Sequence, residues 1–122
     1  MITEKEAEKI AREWVEEWNS HDIDAIMAHY VDDVELTSPF VVNALSIDSG
    51  TIKGKEKLRA YFKRGLETYP ELKFELSQVL AGVNSLIIYY RGIRGMMAAE
   101  MMVLNPQNRI LKVMAHYNAS SQ

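Results

Sequence analysis

Glu100 is the residue of this sequence whose surroundings most demand a chemical explanation. It lies inside the apolar run Met96 to Leu104. In an extended strand side chains alternate between two faces, so Met96, Ala98, Glu100, Met102 and Leu104 share one face and Met97, Ala99, Met101 and Val103 the other. A carboxyl set among methionines and leucine loses hydration, which disfavours its charged form and raises its pKa. Held protonated near neutrality, it can donate a hydrogen bond to a ligand oxygen. The alternative is a carboxyl satisfied by an indole N–H, a tyrosine hydroxyl or an arginine and doing no chemistry, since structural networks also perturb acids.

The other ionisable residues offer less. There are no cysteines, which excludes disulfides, thiolate nucleophiles and thiolate metal sites. The three histidines lack metal-ligand spacing, so no metal and no cofactor is expected. His21 reads as exposed in an inter-helix turn, and His29 stands beside the apolar stripe of the second helix, either facing a cavity or at its edge. On the last strand Val113, Ala115 and Tyr117 form the more apolar face, which puts Tyr117 inside and His116 outside. Asp22 and Asp24 read as cap and dipole residues, and Asp32 and Asp33 as the solvated end of the second helix.

These side chains must be positioned by one modest core. The chain has 122 residues, 48% of them hydrophobic and 25% charged, with a net charge of -3. That is the size and balance of a single globular domain spanning 1–122. Basic residues are interspersed with acids, which argues against nucleic acid. No apolar stretch approaches the roughly 20 residues of a membrane helix and the first residues lack a signal-peptide core, so no membrane association and a cytoplasmic location are expected.

Along the chain, Ala7, Ile10, Ala11, Trp14, Val15 and Trp18 recur at helical spacing, and Thr3 with Glu6 fits a capping box, predicting a helix from there to Asn19–Ser20. Asp22 caps a second helix carrying Ile23, Ile26, Met27, Tyr30 and Val31 and stopping near Asp32–Asp33. Val34 to Ser38 reads as a short strand ended by Pro39, and Phe40 to Gly50 as a long mixed connection. A third helix starts after Gly54, buries Leu58, Tyr61, Phe62 and Leu66, and ends before Pro70. Beyond it the period falls to two: Leu72, Phe74 and Leu76 alternate with polar residues, and strands follow at roughly 85–91, 96–104 and 109–117. Only Asn118 to Gln122 reads as a loose tail. Helices followed by strands make an α+β domain, three N-terminal helices on a curved antiparallel sheet. The outward strand face would carry Met97, Met101, Val103, Ile110 and Met114, too apolar to leave wet, and a homodimer through that face would cover it.

Several segments in this order resemble the NTF2-like cone fold and, within it, the SnoaL-like branch that includes ketosteroid isomerases. They are Trp14 with Trp18-Asn19-Ser20-His21-Asp22, Tyr30-Val31-Asp32-Asp33-Val34 before Ser38-Pro39, Ile52-Lys53-Gly54-Lys55-Glu56 leading to Arg59-Ala60-Tyr61-Phe62, and the hairpin from Ala99 to Tyr117. The resemblance covers nearly the whole chain. It implies a cone-shaped cavity between the helices and the concave sheet face, commonly with dimerisation through the other face.

In the isomerase-like pattern the position of Glu100 carries an acid that stabilises an enolate by donating a hydrogen bond. Two positions depart from that pattern. The general base, an acid just before the proline, is replaced by Ser38, and the phenolic donor on the first helix by Trp14. A serine hydroxyl without an activating base cannot take a carbon-bound proton at neutral pH, and an indole only donates. Steroid isomerisation is therefore not expected. Nor is the epoxide-hydrolase arrangement, because Arg91 and Arg94 have no pair of inward aspartates. Periodicity and family position together sketch the cavity wall as Trp14, Trp18, Met27, Tyr30, Ser38, Phe62, Tyr90, Met102 and Tyr117, suited to a flat, largely apolar, carbonyl-containing small molecule. Two functions follow: acid/base chemistry of the isomerase, cyclase or dehydratase type through Glu100, or a non-catalytic ligand-binding or dimeric adaptor domain.

Overall fold

The computed structural model describes residues 1–118; of the tail expected at Asn118 to Gln122, all but Asn118 lies outside the described residues. Helix α1 (Glu4–Ser20) begins with the capping box read from the sequence: Thr3 N–H donates to Glu6 Oε1 at 2.9 Å and Glu6 N–H to Thr3 Oγ1 at 3.0 Å. Its buried stripe is the expected one, Ala7, Ile10, Ala11, Trp14, Val15 and Trp18. His21 ends the helix in the left-handed conformation (φ 61°). It is half-buried rather than exposed, because its Nε2 lies 2.8 Å from the Leu72 carbonyl and ties the turn to the chain after the last helix.

Asp22 caps α2 (Ile23–Met27), its Oδ1 accepting from Asp24 and Ala25 N–H at 3.1 and 3.2 Å. The helix stops five residues before Asp32, the first of the aspartates expected to end it, and Tyr30 and Val31 instead open strand β1 (Tyr30–Thr37). Long-range bonds decide this. Ile110 N–H donates to the His29 carbonyl at 2.8 Å and Arg109 Nη2 to the Tyr30 carbonyl at 2.9 Å, which pins the backbone to a strand 80 residues away and outweighs local helical spacing. Asp32 and Asp33 are exposed within β1, where its register against the neighbouring strand shifts.

The connection from Phe40 to Gly50 contains a short helix α3 (Pro39–Leu45), capped by Ser38, with proline in its first turn. The chain then returns to strand β2 (Thr51–Lys53). Gly50 makes that return possible: it has φ 68°, and a Cβ there would lie 3.0 Å from the Ser38 carbonyl oxygen and 3.0 Å from Val42 Cγ2. Helix α4 (Lys55–Thr68) buries Leu58, Phe62 and Leu66 as expected, whereas Tyr61, expected with them, is only partly buried. Strands β3 (Glu75–Ala81), β4 (Ser85–Arg91), β5 (Met97–Leu104) and β6 (Ile110–Tyr117) complete the fold, with a short 3-10 turn at Ile93–Gly95.

The curved six-stranded sheet has the order β2-β1-β6-β5-β4-β3. All neighbours are antiparallel except β1 and β6, which run parallel, so the sheet is mixed rather than wholly antiparallel. Helix α1 packs across β3 and α4 across β1, and the α+β architecture is the one the sequence predicts. Along β5 burial alternates without a break, with Ala98, Glu100, Met102 and Leu104 inward and Met97, Ala99, Met101 and Val103 outward. Strand β6 departs from strict alternation. A bulge pairs Val103 with Lys112 but Leu104 with Ile110, so the extra residue turns Ile110 into the core at 1% exposure instead of outward as expected. Met114 is outward as expected. Among the described residues no helix is long and apolar enough to cross a membrane.

Candidate functional site

Register across the central strands explains where open space remains. The inward row Leu86–Met102–Val113 is made of large, almost fully buried side chains that meet the helices and leave no gap. Two rows further along, Tyr90–Ala98–Tyr117 sets an alanine between two rings, and the row between them, Ile88–Glu100–Ala115, has a second alanine beside Glu100. Small side chains on a concave face cannot reach the opposing helices. A cavity of about 490 Å³ opens there, floored by Tyr90, Ala98, Glu100, Ala115 and Tyr117 and walled by Trp18 of α1, Phe40 and Leu45 of α3, and Tyr61, Phe62 and Gly65 of α4.

Glu100 lies at the junction of packed core and open space, 6% exposed. Tyr90 Oη donates a short hydrogen bond to Oε2. Oε1 accepts none among the described residues. Burial pushes the carboxyl up to about 7 even though the Tyr90 bond favours the ionised form. Around it the phenols of Tyr30, Tyr61, Tyr90 and Tyr117 are all held above the usual tyrosine range, first by burial and then by the charge of Glu100. They are neutral hydroxyls at any physiological pH. Ser38, 3% exposed, uses Oγ to accept from Phe40 N–H at 3.2 Å. It also lies close enough to the Tyr61 and Tyr117 hydroxyls to offset part of their rise. Glu100 is the one carboxyl among the described residues that line the cavity.

Of the residues expected on the wall, Trp18, Ser38, Phe62, Tyr90, Glu100 and Tyr117 line the cavity. Trp14, Met27, Tyr30 and Met102 do not. They are buried to within 2% and belong to the packed core. Trp14 stacks on Phe74 with centroids 5.6 Å apart and meets the edge of Tyr90 at 5.3 Å, while its Nε1–H donates to Tyr30 Oη at 3.0 Å. Among the described residues the buried Nε1 of Trp18 has no hydrogen-bond partner. Tyr61, Tyr69, Ile93, Met96 and Phe40 also line the cavity. Tyr61 and Met96 carried a periodicity signal. Phe40, whose ring lies 4.3 Å from that of Tyr117, comes from the unforeseen α3 and carried none.

His29 does not line the cavity; it forms a short contact with Glu17, whose carboxyl is raised by burial and lowered by His29. His116 is exposed on the outer face as expected. Arg91 donates to the Gly95 carbonyl at 2.9 Å, and Arg94 stands 5.7 Å from the Tyr69 ring centre. Among the described residues no group of three His, Asp or Glu is placed to hold a metal ion.

A family model described as a SnoaL-like domain matches residues 11–115. A SnoaL-like protein of unknown function from Burkholderia thailandensis is 42% identical over 97% of this chain and 98% of its own, with a TM-score of 0.94. An NTF2-like protein of unknown function from Cytophaga hutchinsonii (13% identity, 97% and 92% covered, TM-score 0.70) shares the fold. So does a candidate ketosteroid isomerase from Kribbella flavida (14% identity, 97% and 82% covered, TM-score 0.74). No curated protein matches the chain.

Proposed function

Given that the chain belongs to the SnoaL-like family of the NTF2-like superfamily, we propose that it binds a small, flat, carbonyl-containing molecule in the cone cavity and performs acid/base chemistry on it through Glu100. The observation that carries this reading is a single buried carboxyl among the residues that line the cavity, with one oxygen fixed by Tyr90 and a pKa of about 7. A group half-ionised at neutral pH can both give and take a proton. Protonated, it donates to a carbonyl oxygen as enol character develops; ionised, the same carboxylate accepts a proton from the neighbouring carbon. The aromatic walls hold the ring system, and the neutral phenols of Tyr61 and Tyr117 are available to orient a second oxygen.

Deuterium exchange tests the chemistry. With 2-tetralone in D2O, the protein should speed exchange at the carbon beside the carbonyl, and Glu100→Gln should abolish the acceleration. If tetralone bound without any acceleration over buffer, the acid/base reading would fail and the non-catalytic alternative would take its place. That alternative is favoured by Ser38, which stands where isomerase-like relatives carry their base.

We also propose that the protein works in the cytoplasm as a homodimer joined through the outer sheet face. Leu80, Ile87, Met101 and Met114 are in register across four strands, and the two outer members are 55% and 36% exposed. An apolar row of this width favours burial against a copy of itself. Met101→Glu should shift a sedimenting dimer to monomer at micromolar concentration while the circular dichroism spectrum is kept. A wild-type protein that sediments as a monomer would remove the proposal.

A further inference from the structure

The charge along the cavity is distributed unequally. Its deep end holds Glu100 and neutral phenols, and its rim holds Arg64, an exposed residue of α4 between Tyr61 and Thr68. Arg64 makes no ion pair or side-chain hydrogen bond among the described residues. A second cation stands nearby without itself lining the cavity: Arg94 follows Ile93, which does, and its guanidinium lies 5.7 Å from the ring centre of Tyr69, another lining residue. Arg94 holds this place with a left-handed backbone, φ 57°.

A ligand anion could not settle at the deep end. There it would shed its hydration and face the ionised fraction of Glu100, a like charge in a medium of low dielectric. At the rim it keeps part of its water and gains a guanidinium, whose planar donors match a carboxylate. From this we infer that the ligand is an amphipathic organic acid: a flat apolar body whose neutral carbonyl or hydroxyl oxygen reaches Glu100 and whose carboxylate stays at the rim on Arg64, with Arg94 adding to the field. This rests on the cavity's being a ligand site and specifies which ligands it takes.

Calorimetric titration with 6-hydroxy-2-naphthoate and its methyl ester tests the inference. The two share the same ring system and hydroxyl and differ in the charge at the other end. At low ionic strength the acid should bind about tenfold more tightly than the ester, the size of one partly desolvated charge-assisted hydrogen bond. The preference should shrink as salt is added. Arg64→Met, which keeps the aliphatic stem, should bring the acid down to the ester's affinity, and Arg64→Lys should keep part of the difference. Equal binding of acid and ester by the wild-type protein, or a preference that survives Arg64→Met, overturns the inference and leaves the cavity reading intact. If neither compound binds, the cavity reading itself fails for this ligand class and the inference falls with it.

Discussion

Glu100→Gln should make the protein more stable at pH 8 while destroying the proton-transfer activity proposed above. The carboxyl is raised from 4.5 to about 7 by burial, so the folded state prefers the protonated acid. The stability linked to that preference is complete below about pH 4.5, erodes as pH rises toward 7, and is gone above it. A gap of this width corresponds to about 3 kcal/mol between the two limits. Glutamine keeps the size of the side chain and an oxygen to accept from Tyr90 Oη, but carries no charge to desolvate. Urea unfolding at pH 4.5 and pH 8 should show variant and wild type nearly equal in acid, with the variant ahead in base by an amount of that order. Parallel profiles would mean that the carboxyl is already solvated in the folded protein. The same substitution should lower carbonyl-linked exchange by about 10²–10⁴-fold, the usual contribution of a positioned acid or base. A site residue that costs stability at the working pH is the expected signature of function held against the preference of the fold.

Trp14→Ala should bring the domain close to unfolding. Trp14 is 2% exposed, packs against Phe74, Tyr90 and Trp18, and supplies the hydrogen bond to the buried Tyr30 hydroxyl. Removing a large buried aromatic costs about 3–5 kcal/mol through lost burial and the hole left behind. Leaving Tyr30 Oη without its donor adds to this, against a total of about 5–15 kcal/mol for a whole domain. Trp14→Phe should cost much less, since it keeps most of the packing and forfeits chiefly the N–H. Urea midpoints of the three proteins measure both effects. A Trp14→Ala protein of near wild-type stability would show that the indole borders open space and belongs to the cavity wall after all.

Much of this architecture was legible because it is periodic. The stripes of α1 and α4 and the unbroken alternation around Glu100 are local patterns, and each produced the element it predicted. What escaped was set by contacts distant in sequence. Tyr30 and Val31 fit a helix that follows Met27, yet a strand 80 residues later claims them. Ile110 fits an outward parity that one bulge reverses. The short α3 and β2 are shaped by a left-handed Gly50 pressed against Ser38, which no spacing reveals. For the candidate site, strand alternation put Glu100 on the face it occupies. The sequence did not separate Trp14 from Trp18, because both lie on one buried helical stripe. Whether each meets core or cavity is decided by the small residues Ala98 and Ala115 on the opposing sheet.

The parallel pairing of β1 with β6 bears on the order in which the molecule can form. Until residues 110–117 have left the ribosome, β1 has β2 alone as a neighbour, and its inner edge offers unpaired backbone groups to whatever strand comes near. Closing the sheet also joins segments at opposite ends of the sequence, a loop whose entropy must be met late in folding. The topology therefore predicts slow refolding, and aggregation of nascent chains that lack the last strand, however stable the finished cone.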